Sequence, residues 1–211
     1  MTTFNFFKKL SNLLLPKEID FFGNLYRQSS LTEEVLATLH NIYFKKSKTV
    51  DQLDDIISRA YQLRKRFLLE LNVVLITPID REAISRTYLS LDWIVLSVKH
   101  FNAEINTYNI APLERYEKIF ISLIQQMTII TQCFLQLKEK KYDEILEALA
   151  LVISMDDDLI SEYSYQLKIL FESDVLKDIL AQREILSQLK EISKHIHVCA
   201  NTVEDIVFKM H

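Results

Sequence analysis

Apolar residues recur along this chain at intervals of three and four over long stretches, the signature of helices that each bury one face. The first stretch runs from Lys17 through Phe21, Phe22, Leu25, Val35, Leu36, Leu39, Ile42 and Tyr43, and Gly23 and the pair Ser29-Ser30, followed by Glu33, would kink or restart it. A second carries Leu53, Ile56, Ile57, Ala60, Leu63, Phe67, Leu71 and Val74, and a third carries Ile84, Tyr88, Leu91, Val95, Val98 and Phe101. Leu113, Tyr116, Ile119, Phe120, Leu123, Met127, Ile130, Phe134 and Leu137 mark a fourth. The fifth shows Ile145, Leu149, Val152, Ile153, Ile160 and Tyr163; the sixth shows Ile185, Leu189, Ile192, Ile196, Cys199, Ala200, Val203, Val207 and Met210. Ahead of them, residues 4–15 form a short amphipathic helix stopped by Pro16, either a lid on the protein's own bundle or a docking element for a membrane protein or bilayer surface.

The breaks between these stretches are short. At Leu75-Ile76-Thr77-Pro78-Ile79-Asp80, Thr77 is the expected N-cap of helix three, with Pro78 at its first position and Asp80 completing a box-like arrangement. Residues 102–109, with Pro112 beyond, separate a first half, 1–108, from a second, 109–211. Lys138-Glu139-Lys140-Lys141 and Glu172-Ser173-Asp174 mark the remaining turns. One Gly and three Pro in 211 residues leave no material for the many turns of a sheet protein. The expectation is an all-α chain of six long antiparallel helices, arranged as two three-helix bundles within a single domain spanning 1–211.

Charge and cysteines narrow the class. A net charge of -4 argues against nucleic acid as a partner. Cys133 and Cys199 lie among apolar residues without metal-ligand spacing, which points to buried thiols in a reducing compartment. No uninterrupted apolar run approaches the roughly 18–20 residues of a membrane span, and the N-terminus does not read as a secretory signal. A cytoplasmic location follows as an expectation.

One charge breaks the apolar pattern. At about 100° per residue, Asp156 falls near the centre of the face of helix five, where it must be hydrogen-bonded, ion-paired, metal-bound or reached by water. Its neighbours Asp157 and Asp158 fall off that face. Asp51, Asp54 and Asp55 suit the positive end of helix two, and Arg64-Lys65-Arg66 reads as a solvated run on its polar side. Trp93 lies off the centre line of helix three, so it either caps the bundle or faces another helix. Glu191 and His195, four apart, form a surface pair; His40, His100, His197 and His211 have no adjacent ligand pattern. No H-E-x-x-H, G-x-S-x-G, phosphate-binding glycine loop or Cys-His arrangement occurs, and nothing marks the chain as an enzyme.

Four segments stand out together: Phe6-Phe7-Lys8-Lys9-Leu10, Pro16-Lys17-Glu18 with Phe21, Phe22 and Leu25, the corner Thr77-Pro78-Ile79-Asp80-Arg81-Glu82, and Ala200-Asn201 with Glu204, Ile206-Val207 and Lys209. With them the chain resembles the PhoU-like phosphate transport regulators, in particular the accessory proteins of the Pit-type phosphate transporter. The resemblance covers almost the whole chain and implies an all-α PhoU-like fold, a cytoplasmic location and control of phosphate entry through a membrane transporter. It also implies iron, zinc or another divalent metal held by carboxylates four apart. Here those pairs are broken: they fall at Ile57 and Tyr61, Asp92 and Leu96, Asp156 and Ile160, and Lys190 and Lys194. No cofactor and no metal site is therefore assigned; if a metal were held, Asp92, Asp156, Glu191 and His195 are the candidates. The reading is a non-catalytic accessory protein that binds a phosphate transporter from the cytoplasmic side. Its alternatives are a carboxylate-ligated metalloprotein or a plain scaffold dimerising through the seam of helix six.

Overall fold

A computed structural model describes residues 19–110 and 113–210, and within them six long helices and no strand. They are α1 (Phe21–His40), α2 (Val50–Val73), α3 (Arg81–Tyr108), α4 (Glu117–Glu139), α5 (Tyr142–Leu170) and α6 (Leu176–Met210). The expected helix over residues 4–15, with Pro16, and the residues Pro112 and His211 lie outside the described residues.

The first three helices start on side-chain caps. Asp20 caps α1 by accepting from Gly23 N at 2.9 Å. Thr49 and Gln52 close a reciprocal capping box on α2. The start of α3 differs from expectation: the cap is Asp80, accepting from Glu82 N at 3.1 Å, and the helix begins at Arg81. Thr77 instead donates its hydroxyl to Ile79 O at 2.7 Å and stays in the bend. Two acidic and hydroxyl caps compete within four residues here, and the carboxylate, the better partner for the dipole, wins. Gly23, Ser29 and Ser30 do not interrupt α1. Gly23 sits under the Asp20 cap, where a Cβ would collide with the carboxylate, and Ser29 spends its hydroxyl on Thr131 Oγ1 at 2.7 Å across to α4.

With the only glycine spent on that cap, the helix ends use other residues. Lys46, Asn109 and Lys140 take left-handed conformations, at φ 52°, 51° and 57°. A wider turn over Asn41–Lys45 precedes the first of these, and Glu114–Tyr116 forms a short 3-10 turn before α4.

The helices that pair across the two halves run antiparallel, as their end-to-end ion pairs record. Asp20 at the start of α1 meets Lys138 at the end of α4 at 2.6 Å, and His40 at the end of α1 meets Glu117 at the start of α4 at 3.2 Å. Arg86 early in α3 pairs with Asp205 late in α6. Helices α1, α2 and α3 pack on one another, as do α4, α5 and α6, giving two three-helix bundles. The broadest packing nevertheless crosses between them, α3 against α6 and α1 against α4. Tyr88, Tyr116, Phe67, Phe101, Phe120 and Phe134 fill the core, and Cys133 and Cys199 are buried free thiols pushed up to about 12 by that burial. The stretch Glu114–Glu139 is long and apolar enough to cross a membrane by length and hydropathy, but half of its 18-residue apolar window is buried inside the bundle.

Two details of facing are corrected. On α5 the buried row is Ile145, Leu149, Val152, Asp156 and Leu159, whereas Ile160 is exposed; the helix turns one residue short of the expected line. The seam of α6, from Ile185 through Leu189, Ile192, Ile196, Cys199 and Val203 to Val207, is buried in the chain's own core, so it is not a free dimer surface.

Candidate functional site

Three polar clusters lie where packed helices face one another, one inside each bundle and one between the two. Between α5 and α6, Asp156 is 9% exposed and has a donor for each carboxylate oxygen. Ser193 donates its hydroxyl to Oδ1, and His197 Nδ1 lies 2.9 Å from Oδ2. Ser193 and His197 are four apart on α6, so one helix face presents both to a single carboxylate. A charge on an apolar face is thus answered by an imidazole and a hydroxyl. Sequence reasoning singled out Asp156 but not its partners; the signal was the Ser-x-x-x-His spacing on α6, whose meaning depends on which helix faces it. Asp157 and Asp158 are exposed.

Between α2 and α3, Arg64 Nε lies 3.1 Å from Asp92 Oδ1, with the two side chains only 19% and 27% exposed. Burial raises the Asp92 pKa, and the Arg64 charge pulls against that rise. Arg64 also stacks its guanidinium over Tyr61 at 5.8 Å. The basic run is therefore not uniformly solvated. Lys65 is exposed and Arg66 lies over the Phe67 ring at 4.9 Å, but Arg64 turns inward because α3 brings a carboxylate to it.

On the outer side of the α3–α6 seam, Trp93 stacks on His195 with ring centroids 5.7 Å apart and planes 17° from parallel. Glu191 Oε1 lies 3.3 Å from His195 Nε2 and 3.1 Å from Lys194 Nζ. Burial under the indole lowers the His195 pKa, with Glu191 pulling it up and Lys194 pushing it further down. Trp93 is 52% exposed and faces another helix, α6, which is the second of its two expected placements. Nearby on the α5–α6 side, Lys190 Nζ sits 5.0 Å over the Tyr163 ring.

The four candidate metal ligands do not converge. Asp92 meets Arg64, Asp156 meets Ser193 and His197, and Glu191 meets His195 and Lys194. Among the described residues no three His, Cys, Asp or Glu side chains gather around one point. Hard cations need several oxygen donors at once, and these carboxylates are instead occupied by side chains of the protein itself. The donor set does not fit a multinuclear metal centre.

No family model matches the chain. It is 28% identical over 143 residues to the UPF0111 protein YkaA of Bacillus subtilis (strain 168), an alignment that takes in 66% of this chain and 69% of that one. Among solved structures it is similar to a PhoU-like protein of Shewanella oneidensis MR-1, with a TM-score of 0.69, 12% identity, and 90% of this chain and 96% of that chain covered. A PhoU-like phosphate regulatory protein of the same organism gives a TM-score of 0.68 at 12% identity and the same coverage. Two three-helix bundles fused along α1–α4 and α3–α6 are therefore the PhoU-like fold, and this chain has it.

Proposed function

We propose that this chain is a non-catalytic accessory protein of inorganic phosphate transport, which binds a membrane phosphate transporter of the Pit type from the cytoplasmic side and modulates it. The observation that carries this reading is the PhoU-like fold over 90% of the chain, shared with a protein described as a phosphate regulator. The polar clusters support a binding role over a catalytic one, because their carboxylates are committed to neighbouring side chains. The corner between α2 and α3 offers a surface suited to a macromolecule: Leu75 and Ile76 are 85% and 86% exposed, with Leu69 and Val73 exposed beside them.

Capture from detergent-solubilised membranes tests the proposal. The tagged protein is expected to retain a phosphate transporter from cells grown in phosphate-rich or phosphate-poor medium. Repeated capture of no transporter under either condition overturns it.

A further inference from the structure

We propose that residues 4–15, which precede the described chain, fold back as an amphipathic helix and cover the apolar corner between α2 and α3. That corner is bare. Leu69 and Val73, four apart on α2, are 58% and 78% exposed, and Leu75 and Ile76 beyond them are 85% and 86% exposed. At about 100° per residue, Phe6, Phe7, Leu10, Leu13 and Leu14 fall within roughly 120° of one another, while Asn5, Lys8, Lys9 and Asn12 face the other way. One side of the segment needs shelter and the other suits water.

The register of α1 against α2 decides which surface lies within reach. Asn24 Nδ2 donates to Glu70 Oε2 at 3.2 Å and, further along, Glu34 pairs with Arg59 at 3.9 Å, so the two helices run antiparallel. Ile19 is as far before Asn24 as Leu75 is beyond Glu70, which starts the described chain level with the corner. Val73, three residues past Glu70, shares the side of α2 turned toward α1. From Ile19 back to Leu15 the chain reaches at most about 14 Å, enough to lay the segment across the corner. Phe171, Val175 and Leu176 are exposed too, but they lie at the opposite end, where His40 of α1 meets Glu117 beside the Tyr116–Gln182 bond. The 20 residues of α1 put that end roughly 30 Å away, beyond the linker. Glu82, exposed in the first turn of α3, offers Lys8 or Lys9 an opposite charge. Segment and transporter compete for this corner; that consequence rests on the function proposed above, whereas the docking does not.

Maleimide labelling of Ile76→Cys in the full chain tests the docking, because the native Cys133 and Cys199 are buried and stay silent. Adding Leu10→Asp and Leu14→Asp is expected to speed labelling by about tenfold or more, as for a segment docked roughly nine-tenths of the time. Leu176→Cys at the opposite end should label at one rate in both backgrounds. Equal rates at position 76 with and without the aspartates overturn the proposal, and so does equal acceleration at positions 76 and 176, which marks general loosening. Protection of Ile76→Cys that grows with protein concentration overturns it in favour of a second copy. Protection that appears only with vesicles of anionic phospholipid overturns it in favour of bilayer docking. The labelling needs no transporter, so its outcome is separate from that of the capture experiment.

Discussion

His197 Nδ1 lies 2.9 Å from Asp156 Oδ2 across the α5–α6 interface, and Ser193 one turn earlier holds the other oxygen of the same carboxylate. Asp156→Ala leaves two donors without their acceptor and should cost about 2–3 kcal/mol in urea unfolding. Asp156→Asn, which keeps a carbonyl oxygen, should cost less. Combining Asp156→Ala with His197→Ala should cost less than the sum of the two singles, and strict additivity would dissolve the pairing.

The Asp20 cap makes Gly23 behave against the usual rule. Replacing a helical glycine by alanine ordinarily gains up to about 1 kcal/mol, but a Cβ here displaces the carboxylate that holds Gly23 N and Lys138 Nζ. Losing an N-cap costs about 1 kcal/mol, so Gly23→Ala should show no gain in thermal or urea unfolding. In an Asp20→Ala background the same change should become stabilising.

Asp20 and Asp92 should shape the acid limb of stability in opposite senses. Burial tends to raise the Asp20 pKa, but Lys138, the Gly23 N–H and Arg27 together hold it below its ordinary value of 3.8. Its contribution is therefore present above 3.8 and is lost as pH falls through the lowered value. Burial raises Asp92 despite Arg64, so its contribution is present below 3.8 and is lost as pH rises through the raised value. Unfolding curves across that range should show Asp20→Asn reducing stability at neutral pH relative to strong acid, and Asp92→Asn removing a loss that the parent suffers on going from acid to neutral pH.

Trp93 covers His195, and burial holds that imidazole below 6.5. Trp93→Ala should raise the His195 pKa toward 6.5, read from its ring proton shifts by NMR. The stabilising contribution of the neutral imidazole exists above 6.5 and fades as pH falls through the lowered value, so the variant should lose that part of the pH dependence.

Core and surface positions should separate cleanly. Leu149 and Ile196 are buried, and truncating either to alanine should cost about 2–5 kcal/mol. Lys65→Ala, on an exposed turn of α2, should stay within about 0.5 kcal/mol of the parent.

The helices were legible because their apolar period repeats over many turns, so a single misplaced residue does not obscure them. Boundaries and facing were less so. Thr77 and Asp80 are both competent caps three residues apart, and the pattern alone does not rank them; Ile160 and Leu159 are adjacent, and a small drift in phase decides which one turns inward. The polar clusters were half visible. A carboxylate on an apolar face announced itself at Asp156, but His197 shows no adjacent ligand pattern and Arg64 reads as part of a solvated run, because what makes each a partner is a residue on another helix.

The heaviest packing joins α1 to α4 and α3 to α6, so it runs across the midpoint of the chain. Severing the backbone between α3 and α4 would remove little of the apolar contact that holds the molecule together, and two such fragments would remain clasped. Deleting either fragment would strip water-avoiding faces on α1 and α3, or on α4 and α6, along nearly their full length. Neither half is a spare part: each is the other's shelter from solvent.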